Sequence, residues 1–378
     1  MNNRTAVLWS SNEEAANIVE LYNNSNSEFR IIFHYKKNLT ASYMNAENKP
    51  DILIGEDLGN KEIKSDLFSL DSLYREDLIN SLLGGSYYND HLHLIPLSFS
   101  LTTAVFNAKS KRVNQSYPSI ELGKMKEQAI SYNDELLKKG SSPQWDDHFI
   151  LAVLELFNSS FTSSISKTMD WHMGGLQSAI GFLHEWNQLN NGTDEMSLFD
   201  KKYLYDNRIK ILKEERILFT VMDSTDFMTL SDRMKKDLTF IYVSNDFKLH
   251  PENIIYGGIS KKTVALKTSL DFLKWLIQED TQEMILKESL KNKSGSFGIL
   301  SGFSSLNNVN NWVFPEYYPL LRGKTPEPQY IQQQIERPID FNNISHELII
   351  PWTIKTVEGE NITFQQALEK WEKLRIPY

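Results

Sequence analysis

His91 and His93 stand two positions apart in a β-prone run, so both side chains project to one side of a strand and offer the start of a metal site. No His-Glu-x-x-His helix and no third ligand accompanies them, so a satisfied or solvated pair is the expectation, and no metal or cofactor is assigned. Hydrolytic and phosphate-handling chemistry fares no better. The chain lacks the glycine-flanked serine of a nucleophile elbow and both common phosphate-cradling glycine loops. Asp146 and Asp147 are sequence neighbours that point apart on a helix, which leaves only carboxylates distant in sequence for acid–base work. The absence of cysteine removes disulfides, thiolate nucleophiles and Cys-ligated metals together. No catalytic residue is assigned.

What remains is the chemistry of recognition. With 8 Trp and 16 Tyr, the chain is supplied with flat rings on which the apolar C–H faces of sugars stack, while sugar hydroxyls need planar polar partners. Trp9, closing a β-prone run, is the best stacking candidate, because Ser10 and a helix N-terminus follow it. Ser98 and Ser100 flank Phe99 after Pro96 and can offer hydroxyls. Trp171 precedes the Gly174-Gly175 turn, and Gly257-Gly258 after Tyr256 would let a ligand approach the backbone closely.

The elements that must position these residues follow from length and pattern. At 378 residues two cores are expected, and a formal net charge of −9 repels a polyanion, so nucleic acid is not an expected partner. Residues 1–20 hold no apolar signal-type stretch, and no run reaches the roughly 18 apolar residues of a membrane span. Thr5 to Trp9 reads as a strand. A helix follows, capped by Ser11 with Glu14 completing a capping box, and with Ala15, Ile18, Val19 and Tyr22 on one face. Phe29 to Tyr35 and Asp51 to Gly55 are further strands, the latter apolar throughout its centre, as in a parallel sheet buried on both faces. His91 to Leu97 and Leu101 to Asn107 read as two more β-prone runs.

Helical spacing then dominates Phe149 to Phe157, Gly175 to Leu189 and Lys201 to Leu212. Strands return at Ile217 to Met222 and Leu238 to Val243. A long amphipathic helix is predicted from Thr268 to Leu286 and a terminal one from Thr363 to Leu374.

The order of these pieces resembles the extracellular solute-binding proteins of bacterial ABC transporters, in the class that includes maltose-binding protein. The resemblance runs through Val7-Leu-Trp-Ser-Ser, Pro50-Asp-Ile-Leu-Ile, Leu70-Asp-Ser-Leu, Tyr88-Asn-Asp-His-Leu-His-Leu-Ile-Pro-Leu and Val105-Phe-Asn. It continues through Ala179-Ile-Gly-Phe-Leu-His-Glu-Trp, Leu212 to Phe227, Tyr256-Gly-Gly-Ile-Ser-Lys and, most specifically, Ser269-Leu-Asp-Phe-Leu-Lys-Trp-Leu-Ile-Gln-Glu-Asp-Thr-Gln. Ser119-Ile-Glu-Leu-Gly-Lys departs from the family by lacking a tryptophan, which loosens the alignment over 109–175.

The resemblance implies an α/β, two-lobed periplasmic-binding-protein fold (type II-like), each lobe a doubly wound sheet flanked by helices. Lobe 1 would comprise 1–107 with 259–303, and lobe 2 would comprise 108–258 with 304–378. It implies a non-catalytic chain that closes on a sugar or oligosaccharide by hinge bending near Asn107 and Tyr256. It places Asp57 as a ligand carboxylate, Trp145 as an aromatic from the opposite wall, and Asp223, Ser224 and Phe227 in a ligand-contacting loop beside Tyr256 and Gly257. Its implied partner is an ABC transporter permease. The protein would be a monomer, periplasmic or anchored outside the cell as a lipoprotein, with its signal encoded upstream of Met1. A carbohydrate-active enzyme with distant paired carboxylates, or a scaffold that kept the lobes and lost its ligand, are the competing readings.

Overall fold

The computed structural model describes residues 4–115, 118–133, 137–141, 146–157, 161–163, 169–171, 173–191, 194–203, 205–292, 295–333 and 341–374. The chain separates into two compact units, Met1–Leu101 with Pro251–Asp340 and Thr102–His250 with Phe341–Tyr378. It therefore passes from one unit to the other at 101/102, 250/251 and 340/341. Residues 304–333, expected in the second lobe with the rest of 304–378, group with the first unit. The reason is local: Phe303–Ser304 pairs with Phe99 and Ser98, and Asn310 then exchanges two hydrogen bonds with the backbone of Ser304.

In chain order the sheet strands are β1 Thr5–Ser10, β2 Arg30–Tyr35, β3 Ile52–Gly55, β4 Leu94–Asn107, β5 Ser119–Glu121, β6 Thr220–Asp223, β7 Leu238–Ser244, β8 Pro251–Ile259 and β9 Phe303–Ser304. The helices used below are α1 Ala15–Ser25, α2 Leu122–Tyr132, α3 Asp147–Leu156, α4 Met173–Asn191, α5 Ser224–Thr229, α6 Leu266–Leu276, α7 Glu279–Lys291 and α8 Phe364–Leu374.

Unit 1 orders its strands β2-β1-β3-β8-β4-β9. The pairs β1·β2 and β1·β3 are parallel, and β8 is antiparallel to both of its neighbours. β3 is buried at every position, as its apolar run requires, whereas β1 alternates between buried and partly exposed residues. Helix α1 buries Ala15, Ile18, Val19 and Tyr22. Tyr22 lies edge-on to Phe272 and Trp275 of α6 at 5.0 and 5.1 Å, and its hydroxyl donates to Asp271 at 2.7 Å. Each large side chain buried this way contributes about 1.5–3 kcal/mol.

Unit 2 orders its strands β6-β4-β7-β5, using residues 102–107 of β4. Phe106 and Phe219 meet at 6.3 Å, and Phe149 packs on Trp186 of α4 at 4.9 Å within one apolar cluster.

Several expected boundaries move. The two runs around Ser98–Ser100 form one strand, because those serines are buried in the ladder rather than turning away. The single helix expected from 268 to 286 is two, α6 and α7, broken at Ile277-Gln278. The segment 201–212 likewise divides between helices Asp194–Tyr203 and Arg208–Lys213. The capping box does not form: α1 begins at Ala15 with no side-chain cap, Asn12 receives the N–H of Glu14, and the Glu14 carboxylate is engaged elsewhere. The histidine pair has separate partners, His91 Nδ1 with Asp71 at 2.7 Å and His93 Nδ1 with the Leu67 carbonyl at 2.7 Å.

Candidate functional site

In doubly wound sheets ligands lie beyond the carboxyl ends of the strands. In unit 1 that edge is formed by Ser10 to Asn12 after β1, Glu56-Asp57 after β3, Leu101 of β4 and the start of the antiparallel β8 at Pro251 to Asn253. Ser10 is fully buried, and its hydroxyl receives the Asn12 N–H at 2.9 Å, so it shapes the turn. Trp9 is partly exposed, with the Lys36 ammonium 4.4 Å from its ring centroid, so a cation already lies over the indole. Asp57 is half-buried and left-handed, at φ 56°, a conformation that aspartate tolerates better than most residues. Its carbonyl accepts from Asn60 Nδ2 at 3.1 Å, while Asn60 Oδ1 caps the next helix by receiving the Ile63 N–H.

The same edge carries a group that sequence reading missed. Leu300 and Ser301 are both left-handed, at φ 48° and 66°. Asn12 Nδ2 donates to the Leu300 carbonyl at 3.1 Å, and Ser98 Oγ donates to it at 3.3 Å. Glu14 receives the Ser301 N–H at 3.0 Å and its hydroxyl at 2.7 Å. Burial raises the Glu14 carboxyl above its ordinary value, against the lowering effect of the two Ser301 bonds. Ile299 and Gly302 close this turn through reciprocal backbone hydrogen bonds at 2.9 and 3.1 Å, and Gly298 precedes it. A Cβ on Gly302 would stand 2.5 Å from the Phe99 carbonyl oxygen, and one on Gly298 would stand 2.0 Å from that of Gly302. The Gly-x-x-x-Gly spacing was the available signal.

In unit 2 the carboxyl ends of β6, β7 and β5 share an edge with Thr102, where β4 enters. Asp223 caps α5 by accepting the Thr225 N–H at 2.6 Å, and both Asp223 and Ser224 are buried. Asp146 caps α3 through the N–H groups of His148 and Phe149 and pairs with Arg208, whose guanidinium pKa burial lowers. Glu121, at the end of β5, accepts from Ser244 Oγ at 2.7 Å and from the Phe247 N–H at 3.0 Å. His250 Nε2 lies 2.8 Å from a Glu155 carboxylate oxygen, each side chain only 10% exposed.

Four expected contact residues lie in packed interiors instead. Phe99 is buried against Phe303, with ring centroids 5.9 Å apart, and Phe227 against Phe240 at 5.1 Å. Tyr256 is buried with its hydroxyl donating to the Leu82 carbonyl at 3.3 Å. Gly257 admits Leu273, Ile95 and Leu97, each of which a Cβ would meet at 3.1–3.3 Å, so its missing side chain serves helix–sheet packing. Ser98 is buried as well. Trp145 lies outside the described residues, and Trp171 is described only as the end of the short strand Met169–Trp171. At the strand ends stand Trp9, Ser10 and Asp57 in unit 1 and Asp223 and Ser224 in unit 2. Asp57 and Trp9 keep accessible surface.

No protein-family model matches the sequence, and no curated protein matches it. Solved structures do. The sugar-binding protein MalE of Xanthomonas citri aligns over 98% of this chain and 96% of its own, with a TM-score of 0.71 and 11% identity. A cyclic α-maltosyl-1,6-maltose binding protein from Arthrobacter globiformis aligns over 98% and 97%, at 0.67 and 14% identity. An ABC substrate-binding protein from Listeria monocytogenes in complex with cycloalternan aligns over 98% and 97%, at 0.61 and 14% identity. The chain therefore has the α/β fold of maltose-binding-protein-like solute-binding proteins, as its order of segments led one to expect. Among the described residues no helix is long and apolar enough to cross a membrane.

Proposed function

We propose that this chain is the non-catalytic, ligand-capturing component of an ABC importer and that its ligand is a sugar or oligosaccharide. The observation that carries the reading is the fold likeness over 98% of the chain to proteins described as sugar-binding. The chemistry of the strand ends agrees with it. Asp57 offers a carboxylate that can accept from two vicinal hydroxyls, and Trp9 offers indole surface, with buried Ser10 and Ser98 holding the turns behind them. Asp223 and Ser224 perform the corresponding service at the edge of unit 2.

On this reading, ligand binds between the lobes and shifts an open state to a closed one, with bending at the chain passages 101/102 and 250/251. The closed form is then delivered to a membrane permease, which requires the protein to work outside the cytoplasm, free or lipid-anchored. The test is a thermal-shift and calorimetric screen of maltose, maltotriose, cyclic glucans and galactose, with small-angle scattering on any hit. One-to-one binding of unchanged sugar with a smaller radius of gyration is expected. Turnover of the sugar, or no response to any of them, refutes it.

A further inference from the structure

The turn after β7 carries a residue whose placement is unfavourable in two separate ways. Asn245 N donates to the Lys248 carbonyl at 3.0 Å, and Lys248 N donates to that of Asn245 at 2.9 Å, closing a two-residue hairpin turn. Both central residues are left-handed, Asp246 at φ 49° and Phe247 at φ 61°. Such turns take Asn or Asp first and Gly second, so Asp246 fits, and a phenylalanine in the second place is an outlier for a bulky side chain. The ring is also 73% exposed, and among the described residues it has no aromatic or cationic neighbour.

The backbone beneath it is nevertheless fastened. Glu121 receives the Phe247 N–H and the Ser244 hydroxyl with one oxygen, and Asn245 Nδ2 donates to the Leu156 carbonyl at 3.3 Å, at the end of α3. A rigidly held, strained and solvent-facing aromatic is what a contact surface requires, and local strain of this kind collects at ligand-contacting positions. Its place in the fold suggests the partner, because the turn lies at the carboxyl ends of β5 and β7, the edge of unit 2 at which the sugar-binding reading puts the ligand.

We propose that Phe247 is a stacking platform that takes the C–H face of a pyranose ring and selects sugars presenting such a face. This rests on the sugar-binding reading above. It adds an exposed ring to that edge of unit 2, where Phe227 is interior.

Phe247→Gly tests it, because glycine belongs in that conformation and the change removes ring and strain together. In unliganded protein the variant should melt at or above the wild-type temperature. Its affinity for the sugar bound best by wild type among maltotriose, cyclic glucan and galactose should fall about 5- to 20-fold. Phe247→Trp should stay within about threefold of wild type. Equal affinities of wild type and Phe247→Gly overturn the platform while leaving sugar binding intact. A wild type that takes up none of the sugars removes the reading and the platform together.

Discussion

Replacing Glu14 with alanine removes the carboxylate that holds the left-handed Leu300–Ser301 turn against the start of α1. Two charge-assisted bonds disappear, from the Ser301 N–H at 3.0 Å and its hydroxyl at 2.7 Å, and such bonds contribute roughly 1.5–3 kcal/mol each. Against that loss stands the relief of a half-buried charge, since burial already raises the Glu14 carboxyl above its ordinary value. The hydroxyl can also rotate toward water, whereas the amide cannot. The net expectation is a loss of about 1.5–3 kcal/mol at pH 7. Urea unfolding followed by circular dichroism measures it, with amide hydrogen exchange at Ser301 as the local readout. Ser301→Ala should cost about 1 kcal/mol, and the two changes should couple by about 1 kcal/mol or more in a double-mutant cycle. A Glu14→Ala change of less than about 0.5 kcal/mol, or additive single effects, would show that the turn is held by other contacts.

Glu14 also sets a pH dependence. A carboxyl raised in the folded state binds its proton more tightly there, so its contribution is greatest below the unfolded value of 4.5 and declines as pH rises through the folded value. Glu14→Gln should abolish that decline in a series of melting curves. Asp71 behaves oppositely: the Leu92 N–H and then His91 hold it down at about 2, so its contribution is present above 3.8 and lost as pH falls towards 2. Asp71→Asn should flatten this acid limb of the same curves. Gly302→Ala sets a Cβ 2.5 Å from a backbone oxygen that cannot move freely, and loss of soluble protein or a fall above about 2 kcal/mol is expected. Asp57→Asn keeps an amide suited to the left-handed position, so folding should persist while sugar affinity, read by calorimetry, falls about 10- to 100-fold.

Much of the architecture was legible in local pattern. The unbroken apolar run of β3 implied burial on both faces, and α1 shows its four core residues at the spacing read from the chain. What escaped was set by partners remote in sequence. Ser11 and Glu14 have the spacing of a capping box, yet Ser301, 287 positions from Glu14, takes the carboxylate with two hydrogen bonds. Phe227 and Tyr256 have the composition of ligand contacts, but spacing cannot tell a ring facing Phe240 from one facing solvent. The paired glycines read as a route for ligand to the backbone, and the crowding of Leu273, Ile95 and Leu97 around Gly257 is a tertiary fact. Phe247 passed unnoticed because its signal is a dihedral angle.

The position of β8 between β3 and β4 has a consequence for synthesis on the ribosome. The first 101 residues contain β1 to β3 and the unit 1 part of β4, but the middle of that sheet stays vacant until Pro251–Ile259 has emerged. Until then β3 and β4 each expose an unpaired edge within an incomplete core, a state prone to aggregation. Unit 1 therefore matures only after most of unit 2 has been translated. An emerging chain of this kind is a natural client for chaperones, and truncation before residue 251 should yield an insoluble fragment.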